Sequence, residues 1–199
     1  MTKRIPALLA ALSAIATLQG CVEMAVVGAG AGVMSVVDRR TTGTQVEDEG
    51  IELRASNRIG ERFGDRAHVN VKAFNRNVLL TGEVSDATAR SEVERIARGV
   101  PSVRSVTNEV QVAGVSAYSA RASDATVTGK VKARFLDANK FNAIHVKVVT
   151  EAGVVYLMGL VTEREGADAT EIARTTSGVR KVVKVFEYCT TAEEACRPR

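Results

Sequence analysis

Residues 48–112 overlay residues 123–188 at an offset of 76 to 77, and this internal repeat constrains the fold more than any other feature of the sequence. His68-Val-Asn-Val71 recurs as His145-Val-Lys-Val148, and Val78-Leu-Leu-Thr-Gly-Glu-Val84 recurs as Val155-Tyr-Leu-Met-Gly-Leu-Val161. Ile96-Ala-Arg98 and Val103-Arg-Ser-Val106 return as Ile172-Ala-Arg174 and Val179-Arg-Lys-Val182, so one single-residue indel separates the copies. The repeat predicts two small homologous domains, 48–112 and 123–188, joined by a linker of small residues at 113–122 and followed by a tail at 189–199.

Each copy reads as helix, strand, strand, helix, strand. Ile51, Ala55 and Ile59 recur every four residues as a helical stripe, whereas Val69 and Val71 alternate with polar residues as a strand. Asn75-Arg-Asn77 and Glu151-Ala-Gly153 are the turns into the second strands. Asp86 is placed to cap the second helix of the first copy, and Thr162 with Glu165 forms a capping box in the other. Val106, Asn108, Val110 and Val112 alternate as a last strand. Gly82 and Gly159 interrupt equivalent strands, where a glycine marks a bulge or a close approach. The expected class is α+β, with the helices of each domain packed on a three-stranded sheet.

The N-terminus is of another kind. Lys3 and Arg4 precede an apolar stretch of 14 residues from Ile5 to Leu18, too short to span a bilayer and of signal-peptide length. Leu18-Gln19-Gly20-Cys21 resembles the bacterial lipobox, with Gln19 a mild departure. That resemblance implies cleavage of residues 1–20 and acylation of Cys21, palmitate included. Val22 follows the cysteine in place of an inner-membrane retention Asp, which by the same resemblance directs the protein to the periplasmic face of the outer membrane. Removing Lys3 and Arg4 leaves 25 basic against 23 acidic residues, so the high isoelectric point carries no argument for nucleic acid. Residues 21–47 read as the acylated cysteine and a flexible tether. The glycines at 28, 30 and 32 are spaced GxGxG, unlike the dinucleotide-binding GxGxxG.

With these parts in place, the repeats resemble the BON domain: an αββαβ order, a strand of hydrophobic-x-L-x-G-x-V type, and a G-V-x-x-V entry to the last strand. Ser177-Gly178-Val179-Arg-Lys-Val182 matches that entry in full, while Pro101-Ser102-Val103 lacks its glycine. Lipobox, tether and two such domains together are similar to the dual-BON outer-membrane lipoproteins, with Gly43-Thr-Gln-Val46 and Leu157–Glu165 among the matching stretches. The resemblance implies a non-enzymatic protein that binds anionic phospholipid, serves envelope integrity and the stress response, and works near division sites or the outer-membrane assembly machinery. Gripping such proteins as a scaffold, with lipid contact incidental, is the rival role.

The residues themselves offer little chemistry. Five Phe, three Tyr and no Trp disfavour a base-stacking surface. His68 and His145 occupy the same repeat position at a strand entry and read as structural; two His leave no His-rich metal site. Acids stand mostly beside Lys and Arg, as on solvated helix faces. No nucleophile elbow, zinc-protease motif or phosphate loop occurs, so no catalytic residue, metal, cofactor or small-molecule substrate is expected.

One helix stands out, at about Thr126–Ala138. Val127, Val131 and Phe135 form its inward stripe; Lys130, Lys132 and Arg134 carry charge, and Leu136 lies beside them. Composition alone fits an ordinary helix with a solvated basic face. The family resemblance implies that Lys130, Lys132, Arg134, Phe135 and Leu136 meet phospholipid, with Phe141 as an alternative aromatic contact. In the first domain Arg54, Arg58 and Arg62 form a comparable stripe, read as solvated or partner-facing. Cys189 and Cys196 in the tail suit a disulfide in an oxidising compartment, with free thiols or a metal pair as alternatives.

Overall fold

Asp48 and Asp124 turn the repeat into structure. Each begins an apolar helical stripe, is 2% and 8% exposed respectively, and reaches across to the hairpin turn of its own domain. Asp48 accepts from the backbone N–H groups of Asn75 and Arg76 at 2.8 and 2.7 Å. Asp124 accepts from Ala152 and Gly153, both at 2.8 Å. These turns carry positive φ at both central positions, Asn75 and Arg76 in one and Ala152 and Gly153 in the other. That conformation matches the right-handed twist of the strands it joins.

The structure is a computed structural model that describes residues 38–114, 118–190, 192, 193 and 196. The chain divides into Met1–Asp38 and Arg39–Arg199, and of the first unit only Asp38 is described. The segment expected to be a signal peptide, the expected acylation site Cys21 and the expected tether up to residue 37 lie outside the described residues.

In the second unit the first domain runs α1 (Thr42–Phe63), β1 (Ala67–Phe74), β2 (Asn77–Val84), α2 (Ala87–Arg98), β3 (Ser105–Asn108) and β4 (Gln111–Val112). The second runs α3 (Tyr118–Ala138), β5 (Val146–Glu151), β6 (Val154–Val161), α4 (Glu163–Arg174) and β7 (Lys181–Tyr188). In each sheet the middle strand pairs antiparallel with the strand before it and parallel with the last.

Two differences from the sequence reading have local causes. The last strand of the first domain is broken at Glu109 and Val110: Glu109 N–H still reaches Leu80 O, but Val110 N–H turns to Asn108 Oδ1 and its side chain is buried. Both first helices also start early. α1 opens at Thr42, inside the stretch read as tether, because Thr41 caps it by accepting from Thr44 N–H at 3.1 Å. α3 opens at Tyr118, inside the stretch read as linker. Ala120 and Ala122 look like linker residues by size, but alanine is the best helix former.

Strand alternation sorts the apolar residues into three cores. Val78, Leu80 and Val84 face α1 and α2; Val155, Leu157 and Val161 face α3 and α4. The opposite sheet faces meet each other. Phe74 and Leu79 of the first domain pack with Tyr156 and Met158 of the second, flanked by Val149, Val154, Leu160, Val183 and Val185. Burial on both faces explains why β6 is an almost unbroken apolar run.

Candidate functional site

The inward stripe of α3 is filled by the domain core: Val127, Val131 and Phe135 are 5%, 0% and 1% exposed. Phe135 therefore departs from the phospholipid contact expected of it. Its ring meets Phe141 edge-on at 5.0 Å between centroids, and Phe141 is itself buried, so neither aromatic is available to a membrane.

The other four residues divide by helical spacing, since positions four apart share a flank. Lys130 and Arg134 lean toward the end of α4. Lys130 Nζ donates to Ser177 Oγ at 3.3 Å. Arg134 Nη1 donates to Ile172 O at 2.8 Å, Thr175 Oγ1 at 3.0 Å and Thr176 Oγ1 at 2.8 Å. A guanidinium there satisfies carbonyl and hydroxyl groups at the negative end of the helix dipole. Lys132 and Leu136 occupy the other flank. Lys132 is exposed and lines a cleft of about 460 Å³ between the domains, while Leu136 is 68% exposed. Lys72 and Lys147 also line the cleft, and both reach Glu52, Lys147 at 2.5 Å and Lys72 at 3.2 Å.

Charges set the frame around this face. Burial works to raise the Glu52 carboxyl, but the Ala73 N–H, Lys147 and Lys72 outweigh it and hold it below its ordinary value. Lys147 belongs to β5 and Glu52 to α1, so this pair ties the domains together. A second tie runs from Arg39 to Glu165 at 2.6 Å and to Leu160 O at 2.9 Å. Burial would raise Glu165 too, and Arg39 with Thr162 again outweighs it, leaving the carboxyl lowered. A third tie collects Asn75, Asn77 and Arg104 of the first domain on Glu187 of β7. Burial, helped by Glu109 and Glu151, pushes the Tyr156 phenol up to about 12.

The predicted arginine stripe on α1 is exposed, with Arg58 donating to Gly99 O at 3.1 Å and Arg62 lying 3.7 Å from Glu92. Cys189 and Cys196 are joined in the structure, with Cα atoms 6.1 Å apart. His68 and His145 both precede tight strand crossings: a Cβ at Gly82 or Gly159 would overlap the His68 or His145 carbonyl. The buried Asp48 and Asp124 escaped the sequence reading, although each stands three residues before its apolar stripe.

This arrangement defines a class: tandem αββαβ domains whose sheets pack together, with a basic, partly apolar helix face at the surface. The BON domain model matches residues 48–114 and 123–190, and the chain belongs to that family. It is 38% identical over 180 residues to "Outer membrane lipoprotein DolP" of Haemophilus influenzae, covering 89% of this chain and 93% of that one. It is 33% identical over 154 residues to the "21 kDa hemolysin" of Actinobacillus pleuropneumoniae, covering 76% and 79%. It is also 33% identical over 117 residues to "Osmotically-inducible protein Y" of Escherichia coli, covering 57% and 58%.

Proposed function

We propose that this BON-family chain is a non-enzymatic lipoprotein held by acylated Cys21 on the periplasmic face of the outer membrane. Its second domain rests on anionic phospholipid through α3, and the protein supports envelope integrity at division sites. The likeness to a protein named an outer membrane lipoprotein supports the location. The observation that carries the lipid reading is Leu136, 68% exposed one helical turn beyond the exposed Lys132. A protruding apolar side chain enters the interface while nearby cations meet headgroups, at about 1 kcal/mol per cation near the surface. Lys132 and Leu136 form the contact, Lys130 adds charge, and Arg134 fixes the helix against α4.

Flotation of the non-acylated chain with anionic or zwitterionic vesicles tests the reading. Binding is expected only to anionic vesicles, to weaken with salt, and to fall about tenfold in Lys132→Glu and in Leu136→Ser. Charge reversal of Arg54, Arg58 and Arg62 is expected to change it little. Equal losses from both helices, or no preference for anionic lipid, would overturn the reading and leave the protein-scaffold role ahead.

A further inference from the structure

We propose that His68, Glu83 and Glu151 form a divalent-metal site of zinc type that bridges the two domains. His68 and Glu83 are cross-strand partners on β1 and β2, so their side chains share a face of the first sheet. Glu151 arrives from the end of β5 in the second domain. One ligand atom from each lies within 4.8 Å of the other two. An imidazole with two carboxylates, completed by water, is a donor set that suits zinc.

The surroundings suit a metal centre. Glu83 and Glu151 are each 7% exposed, so the fold buries two carboxylates beside the His68 imidazole. Asn70 Nδ2 and Thr81 Oγ1 both donate to Glu151 Oε2, at 2.7 and 3.3 Å, and so orient the ligand from outside the triad. His68 is only partly buried and, with Glu151, lines the interdomain cleft, which gives an ion its route from solvent. Zinc bonds of about 2.0–2.2 Å place tetrahedral donors about 3.3–3.6 Å apart, so the three side chains draw closer together when the ion enters.

Duplication does not account for the site. The repeat equivalents of His68 and Glu83 are His145 and Leu160, so the second domain lacks the pair. Domain packing makes the triad once, from residues 68, 83 and 151, which are too far apart in sequence to read as a motif.

Zinc titration of the full non-acylated chain by calorimetry, with X-ray absorption at the zinc edge, tests the proposal. One zinc per chain is expected, in a nitrogen and oxygen shell without sulfur. Affinity should fall at least tenfold in His68→Asn, Glu83→Gln and Glu151→Gln, and stay unchanged in His145→Asn. Zinc should raise the thermal midpoint of the parent and a chelator should reverse this. Circular dichroism of each metal-free variant separates ligand loss from unfolding, and the isosteric Glu83→Gln decides if another variant melts. Absence of saturable one-to-one binding, a sulfur shell, or binding that survives both His68→Asn and Glu151→Gln would overturn the proposal.

Discussion

Asp48 and Asp124 each hold two backbone N–H groups of a turn from a buried position. Replacing either by Ala leaves those donors without their charged acceptor, at a cost of about 2–4 kcal/mol. Denaturant unfolding should show this loss for Asp48→Ala and Asp124→Ala alike. A loss under about 0.5 kcal/mol, the size of an ordinary surface change, would contradict the role given to them. Their part was only half legible in the sequence. Each stands three residues before its apolar stripe, but an acid on a helix usually points to solvent, and only the hairpin folding back reveals what they hold. Phe135 illustrates the opposite error: its spacing announced a core residue, and the fold fills the core with it even though the family resemblance suggested a membrane contact.

At the scale of elements, the strands and second helices were readable because alternation and caps are local. Asp86 and the Thr162–Glu165 box sit where the structure uses them. The early starts of α1 and α3 were not readable, since small residues give a helix no apolar stripe. The pair between α1 and β5 makes a pH prediction. Glu52 is lowered in the folded protein, so its contribution is fully present above the ordinary carboxylate range and is lost as pH falls through its lower folded value. Lys147→Ala should therefore destabilise the protein at neutral pH and flatten the decline of stability in acid. A stability profile between pH 3 and 7 checks this, and parallel acid limbs in parent and variant would contradict it.

At the scale of the whole molecule, two domains read from a repeat become one unit through Phe74, Leu79, Tyr156 and Met158 and polar ties at Glu52, Glu151, Glu165 and Glu187. Nothing in the sequence announced that joining, although the apolar run of β6 carried its trace as a strand without a polar face. Calorimetry should show the two domains unfolding in a single transition. Leu79→Ala, which empties a fully buried position at the shared face, should lower that transition by about 2–5 kcal/mol. Two resolved transitions in the parent would contradict the shared core. The absence of Trp from the chain allows a direct reading of how this unit meets a membrane. Leu136→Trp creates the sole indole on the proposed face, and Leu53→Trp creates one on α1, where Leu53 is 63% exposed. With anionic vesicles the fluorescence at position 136 should shift to the blue and be quenched by brominated acyl chains, while the fluorescence at position 53 stays that of an indole in water. An unshifted, unquenched indole at 136, or equal shifts at both positions, would contradict the account.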